Sequence, residues 1–228
     1  MRTLHLLLIG LLAVGHGTDT RAGRPLVSET ADALEQGACE IESALARTRA
    51  NATPSVRETS VIFSCGVRGD TQPALGYARS SGDGSRAETL LIGAKTTLKP
   101  PTERQLGFGL AYSVSALQTP GQSFSFEDLQ IVALVTGEMA RGLLGHANLG
   151  WNRKRSTQQH STLWSIGFES VGDITLAGDF FGDDRNRPSV SAGLGYALGK
   201  NLSLNAAYAM QFDRPRVRQL SIGARVAF

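Results

Sequence analysis

The feature that most constrains this chain is a side-chain alternation of period two, which begins near residue 38 and runs to the last residue. In the final stretch Leu220, Ile222, Ala224, Val226 and Phe228 share one face, and Gln219, Ser221, Gly223, Arg225 and Ala227 share the other. Successive side chains point to opposite faces only in an extended strand, so the pattern excludes a helical chain. The preceding stretch sets Leu202, Leu204, Ala206, Tyr208 and Met210 against Ser203, Asn205, Ala207, Ala209 and Gln211. Val190–Leu198, Trp164–Glu169 and Leu106–Ser115 repeat the scheme. In each case one face is apolar and the other polar or very small.

Alternation fits a sandwich, whose polar face meets water, or a membrane barrel, whose polar face meets the lumen. Three features favour the barrel. The segments approach the about 9–11 residues that a tilted membrane strand needs. Aromatic residues (Trp164, Phe180, Tyr208, Phe228) sit toward strand ends on the apolar face, as interfacial girdles do. The chain ends on an alternating strand closed by Phe228, which resembles the assembly signal of bacterial outer-membrane barrels. The predicted strands are 38–49, 55–67, 73–80, 87–98, 105–116, 126–138, 145–153, 161–170, 174–182, 188–198, 202–212 and 217–228. That is an even number, as a closed up-and-down bacterial barrel requires. The predicted fold class is therefore all-β, an antiparallel transmembrane barrel of about twelve strands. Residues 80–86, 117–125, 153–160, 183–187 and 213–216 are expected as outer loops.

The N-terminus carries a second signal. Arg2 precedes an apolar run, Leu4–Val14, too short to span a bilayer as a helix, and Gly15, Gly17 and Ala22 are candidate cleavage positions. The expected organisation is a signal peptide over 1–22, a periplasmic segment over 23–37 and a barrel over 38–228, located in the bacterial outer membrane. Export makes a disulfide permissible. If residues 51–53 form the first hairpin loop, paired positions sum to about 104, which sets Cys39 opposite Cys65 within bridging reach.

Few motifs carry chemistry. The net charge of +3 and the short cluster Arg153-Lys154-Arg155 give no nucleic-acid signature. Gly107-Phe-Gly109 and Gly193-Leu-Gly195 lack the third glycine and the helix of a nucleotide loop. Asp183-Asp184-Arg185-Asn186-Arg187 reads as a charge-balanced outer loop, and His146 as a polar lumen residue beside Asn148, Gly150 and Asn152; no metal or cofactor is predicted. His160 and Ser161 are adjacent, so they point to opposite faces of a strand and make no dyad. Projecting the alternation inward collects Glu40, Glu42, Glu58, Asp128, Glu138, Glu169 and Asp179 against Lys95 and Arg225: either an acidic lumen that favours cations or an internal hydrogen-bonded network with Arg225, Lys95 and loop arginines that plugs the barrel. Glu169 and Asp179 are expected at similar depth.

Two stretches carry a family resemblance. Arg24-Pro25-Leu26, Thr30-Ala31 and Gly37–Glu42 resemble the N-terminal segment of the outer-membrane proteins grouped with the MetA pathway of phenol degradation. Gly178–Pro188, followed by Ser191–Tyr196, is similar to a segment that recurs in those chains. The resemblance implies a barrel with a transport role and supplies no catalytic residues. The expected function is thus non-enzymatic: a passive channel or transporter-like barrel for small solutes. The alternatives are a plugged barrel with a structural or adhesive role and an outer-membrane lipid hydrolase. Expected partners are outer-membrane lipid and the barrel-assembly machinery, engaged through the C-terminal strand. Deleting Phe228 is expected to lower the amount of heat-modifiable barrel in outer-membrane fractions; unchanged levels would remove its assembly role.

Overall fold

The computed structural model describes residues 26–50, 54–212 and 216–228. The candidate signal peptide, with Arg24 and Pro25, and the first loop at 51–53 lie outside the described residues. The described residues form twelve strands: β1 (Cys39–Ala50), β2 (Val56–Cys65), β3 (Thr71–Gly82), β4 (Ser85–Lys99), β5 (Gly107–Gln118), β6 (Ser125–Ala140), β7 (Leu143–Lys154), β8 (Gln159–Ser170), β9 (Ile174–Asp183), β10 (Ser189–Ala197), β11 (Leu202–Gln211) and β12 (Val217–Ala227). Each pairs antiparallel with its neighbours in sequence, and β12 pairs with β1 to close the barrel. Closure leaves no edge strand, so the strands pair with one another all the way round without needing water.

The seam is specified by long pairing, from Glu40 opposite Ala227 to Ala50 opposite Val217. Beyond it, Cys39 and Phe228 exchange both backbone hydrogen bonds at 2.8 Å. Cys39 faces Cys65 across β1 and β2, and a disulfide joins them. This bridge ties the first hairpin together beside the seam, where β1 has to capture the last strand.

The two faces sort as the alternation requires. Ile41, Leu45, Val61, Leu75, Ile92, Leu149, Ile166, Leu176, Leu204 and Ile222 are exposed on the outer wall. Glu40, Ser64, Gln72, Lys95, Gln130, Thr136, His146, Glu169, Asp179 and Arg225 are buried inside. That is the reverse of a soluble core, and it suits an apolar solvent outside. Aromatic side chains concentrate toward both ends of the wall. At the end carrying the C-terminus, Phe63 and Phe228 stack with ring centroids 6.5 Å apart.

Strand limits differ from the sequence expectation by one or two residues. The largest difference is the β3–β4 hairpin, which extends through the stretch 80–86 that was expected as a loop. Asp83 and Gly84 have φ of 51° and 73°, the conformation of a two-residue turn whose twist matches the flanking strands. Irregular pairing bends three hairpins, between Thr97 and Lys99, between Ser115 and Ala116, and between Glu138 and Ala140. Thiol labelling of the denatured, unreduced protein is expected to find neither cysteine free; labelling of two thiols per chain would contradict the bridge.

Candidate functional site

The segment that precedes β1 was expected in the periplasm. Its described part, from Leu26 on, lies inside the barrel instead. Leu26, Ser28, Thr30, Ala31 and Leu34 are buried. The physical reason is a supply of hydrogen-bond acceptors on the wall. An extended chain that leaves water must place its N–H groups somewhere, and here no ladder receives them. Side chains of the inner face do so.

The acceptors follow the circumference. Asp179 on β9 takes the N–H groups of Val27 (2.9 Å) and Ser28 (3.1 Å) on its two carboxylate oxygens. Asn148 on β7 accepts from the Glu29 N–H at 2.8 Å and donates to the Glu29 carbonyl at 3.0 Å, copying one rung of a sheet. Thr136 on β6 accepts from the Ala31 N–H at 2.8 Å, and its hydroxyl lies 3.3 Å from that of Thr30. Thr97 on β4 accepts from the Ala33 N–H at 2.8 Å and donates to the Ala31 carbonyl at 3.0 Å. Gln72 on β3 accepts from the Leu34 N–H at 3.0 Å. The Gly37 N–H then bonds the Gly66 carbonyl at 2.9 Å, where the segment turns into β1.

The strands between these acceptors present glycine. A Cβ at Gly167 on β8 would sit 2.5 Å from Asp179 Oδ1 and 2.7 Å from Ser28 Oγ. A Cβ at Gly109 on β5 would sit 2.8 Å from the Ala31 carbonyl oxygen. Both distances are below any real Cβ contact, so these glycines give the segment its room. A second layer of bonds fixes the acceptors. Ser191 donates to Asp179 at 3.0 Å and Ser165 donates to Asn148 at 2.9 Å. His146 Nδ1 lies 3.0 Å from the Thr136 hydroxyl, and its Nε2 lies 3.3 Å from Glu169. This hydroxyl–imidazole–carboxylate row has the residue types of a nucleophilic triad, but the Thr136 oxygen is engaged by the Ala31 N–H. The row therefore orients an acceptor.

The segment covers only part of the wall. Gln72, Thr136, Asn148 and Asp179, which bond the segment, are buried, whereas Ala44, Ala46, Ser191, Gly193, Asn205, Ala207, Ser221 and Gly223 on β1 and β10–β12 are half-exposed. A crescent lined by small and polar groups thus remains beside it. A cavity of about 40 Å³ against the segment, bounded by Glu29, Gln72, Lys95 and Gln130, has room for a few waters at most.

The sequence-derived carboxylates do not form one ring. Asp179 holds the segment and Glu169 meets His146. Glu40 is fully buried, accepts from Ser64 at 3.1 Å and pairs with Arg225 at 2.5 Å. Glu138 accepts from the Gly142 N–H at 3.2 Å and so caps the β6–β7 turn. Asp128 bonds Asn152. At least five of the seven have partners in the wall, a turn or the segment, the arrangement of an internally bonded network. Glu42 and Glu58 remain half-exposed on the crescent side. Lys95 is buried on β4 beside that small cavity.

The residues missed by sequence reasoning are Gln72, Thr97, Thr136, Gly109 and Gly167. Each is an ordinary inward-facing residue, and only its distant partner marks it. The outer loop 183–187 is held by hydrogen bonds, with Asp183 accepting from the Arg185 and Asn186 N–H groups at 2.7 Å each. His160 stacks on Trp151 on the outer wall, 5.3 Å between centroids, away from inward-facing Ser161.

A family model described as uncharacterised conserved protein UCP029691 matches residues 10–228. No curated protein matches the chain. Among solved structures, the barrel is similar to the KdgM porin in complex with disordered oligogalacturonate, with TM-score 0.61, 9% identity, and coverage of 83% of this chain and 99% of that one. It is similar to the NanC porin, with TM-score 0.63, 9% identity, and coverage of 82% and 98%. Outer membrane phospholipase A from Escherichia coli also matches, with TM-score 0.51, 8% identity, and coverage of 94% and 95%. At these identities the likeness is one of fold: a barrel of the outer-membrane type.

Asp179→Ala leaves the Val27 and Ser28 N–H groups without their acceptor, a cost of about 1–3 kcal/mol for each buried group. Amide hydrogen exchange over residues 27–34 is expected to rise in the variant while the barrel strands stay protected. Unchanged exchange would mean that Asp179 does not hold the segment.

Proposed function

We propose that this chain, which belongs to the UCP029691 family, is a passive outer-membrane channel for small solutes, constricted by its own N-terminal segment. The observation that carries the reading is the divided lumen: a segment pinned along β3–β9 and a half-exposed crescent along β10–β12 and β1. The porin-like fold supports it, as does the likeness of Gly37–Glu42 and Gly178–Pro188 to the MetA-pathway outer-membrane barrels. The apolar outer wall supports residence in the outer membrane, reached by way of a cleaved signal peptide, and Phe228 at the end of β12 supports recognition by the assembly machinery. The engagement of the Thr136 row with the segment supports a non-catalytic role.

Glu42 on β1 and Glu58 on the adjacent β2 are half-exposed inward carboxylates, so they, rather than the buried Glu169 and Asp179, would set any cation preference. A small solute following the crescent toward the end with the C-terminus meets Arg225, which is paired with Glu40 and faces Glu42 across the seam. The hydrogen bonds that hold the segment favour a second reading, a barrel that stays plugged and serves a structural role.

Conductance in planar bilayers separates the two. Small single-channel steps are expected from the native barrel, and steps several-fold larger once residues 26–35 are deleted. Glu42→Gln with Glu58→Gln is expected to move the reversal potential across a salt gradient toward zero. Silence of both the native and the shortened barrel would overturn the channel reading and leave the plugged one.

A further inference from the structure

The outer wall carries a charge pattern that neither the ladder nor the lumen explains. At the ends of β12, β1, β2, β3 and β4 away from the C-terminus, six arginines are exposed: Arg218, Arg49, Arg47, Arg57, Arg79 and Arg86. Alternation places all of them on the outer face, opposite in phase to inward-facing Gln219, Thr48, Glu58 and Ser80. The register then makes the pattern costly. Arg49 is directly opposite Arg218, and Arg47 is directly opposite Arg57. Like charges facing each other across strands repel and destabilise a sheet. Among the described residues, Glu88, opposite Arg79, is the single carboxylate on the same face of these strand ends. Six guanidinium groups thus stand against one carboxylate on five neighbouring strands.

The depth of the belt identifies what neutralises it. On β12, Leu220, Ile222, Ala224, Val226 and Phe228 face outward below Arg218. Ten residues separate Arg218 from Phe228, about 33 Å along a strand. With a strand tilt of about 40°, that is about 25 Å along the barrel axis, the height of a membrane barrel's apolar band. Phe228 then marks one interface and the arginines mark the other, one step beyond Tyr77 of the aromatic girdle. With the Phe228 end in the periplasm, that other interface is the outer leaflet. The rest of the rim differs: Phe126, Trp151, Phe180, Tyr208 and Met210 face outward on β6–β11, with Arg153 the arginine among them.

We propose that the arc β12–β1–β2–β3–β4 is a docking surface for a phosphorylated glycolipid of the outer leaflet, whose phosphates bridge the Arg47–Arg57 and Arg49–Arg218 pairs. The planar guanidinium fork suits phosphate oxygens in a bidentate arrangement, and a phosphate between two arginines turns their repulsion into two attractions. The acyl chains of the same lipid would lie on Leu45, Val61, Leu220 and Ile222 directly below. The arc also contains the seam and the disulfide hairpin, so the lipid would clamp the strands that close the barrel.

The inference rests on the outer-membrane reading, and the test keeps the two apart. The barrel is folded in phosphatidylcholine micelles, where gel mobility without heating reports folding independently of any anionic lipid. Diphosphoryl lipid A is then added, and the temperature of heat-modified migration is followed. The native barrel is expected to gain several degrees. The variant carrying R47Q, R49Q, R57Q and R218Q is expected to gain nothing, and to be at least as stable as the native barrel before lipid is added. R153Q, on the other side of the rim, is expected to gain as the native barrel does. No gain in the native barrel, an equal gain in the four-fold variant, or an equal gain with inorganic phosphate alone would each overturn the proposal.

Discussion

The structure depends on one constraint: a backbone N–H or C=O group removed from water has to be bonded. The barrel meets it for the strands by closing β12 onto β1, so that no edge remains. It meets it for the N-terminal segment by a different device, a set of side chains. Asp179, Asn148, Thr136, Thr97 and Gln72 stand in for the neighbouring strand that the segment lacks. The polar inner face is thus more than a lining compatible with water. It is a track that binds an extended chain, and it uses carboxylate, amide and hydroxyl oxygens where a sheet would use carbonyls.

That device explains why the lumen is asymmetric. Half of the inner wall spends its polar groups on the segment, with Gly167 and Gly109 keeping the approach close. The other half, built from residues such as Ala44, Ala207 and Gly223, has small side chains and no such partner, and it keeps its exposure. A constriction attached to one wall narrows a channel without filling it, and its strength is tunable through single side chains. Asp179 holds the segment, Glu169 meets His146 and Glu40 pairs with Arg225, while Glu42 and Glu58 are half-exposed.

Much of the fold was legible in the sequence because period two is a strong signal wherever one face meets an apolar medium. A slip of one residue would turn Leu220, Ile222 and Val226 inward and Arg225 toward lipid. The register of the first hairpin was legible for a related reason: a loop centred on residue 52 puts Cys39 opposite Cys65. The β3–β4 turn was less so, because a Gly- and Asp-rich stretch reads as a loop whether or not Asp83 and Gly84 adopt a tight turn. The segment's place in the lumen was not legible at all. Nothing between Leu26 and Leu34 alternates, and its bonds join residues as far apart in sequence as Val27 and Asp179. A threonine or glutamine that faces a lumen looks the same in sequence whether it binds water or backbone. The inward carboxylates were identified one by one, but their roles depend on what enters the barrel from outside the strand pattern.

The central claim is that the N-terminal segment lies against the inner wall, and proximity cross-linking tests it most directly. The hydroxyls of Thr30 and Thr136 are 3.3 Å apart. With cysteine at both positions, in the barrel folded under mild oxidation, the account predicts a disulfide between residues 30 and 136, identified by mass spectrometry of the joined peptides alongside the native Cys39–Cys65 bridge. Recovery of both new thiols free, with residue 30 open to a bulky water-soluble maleimide in the folded barrel, would contradict it.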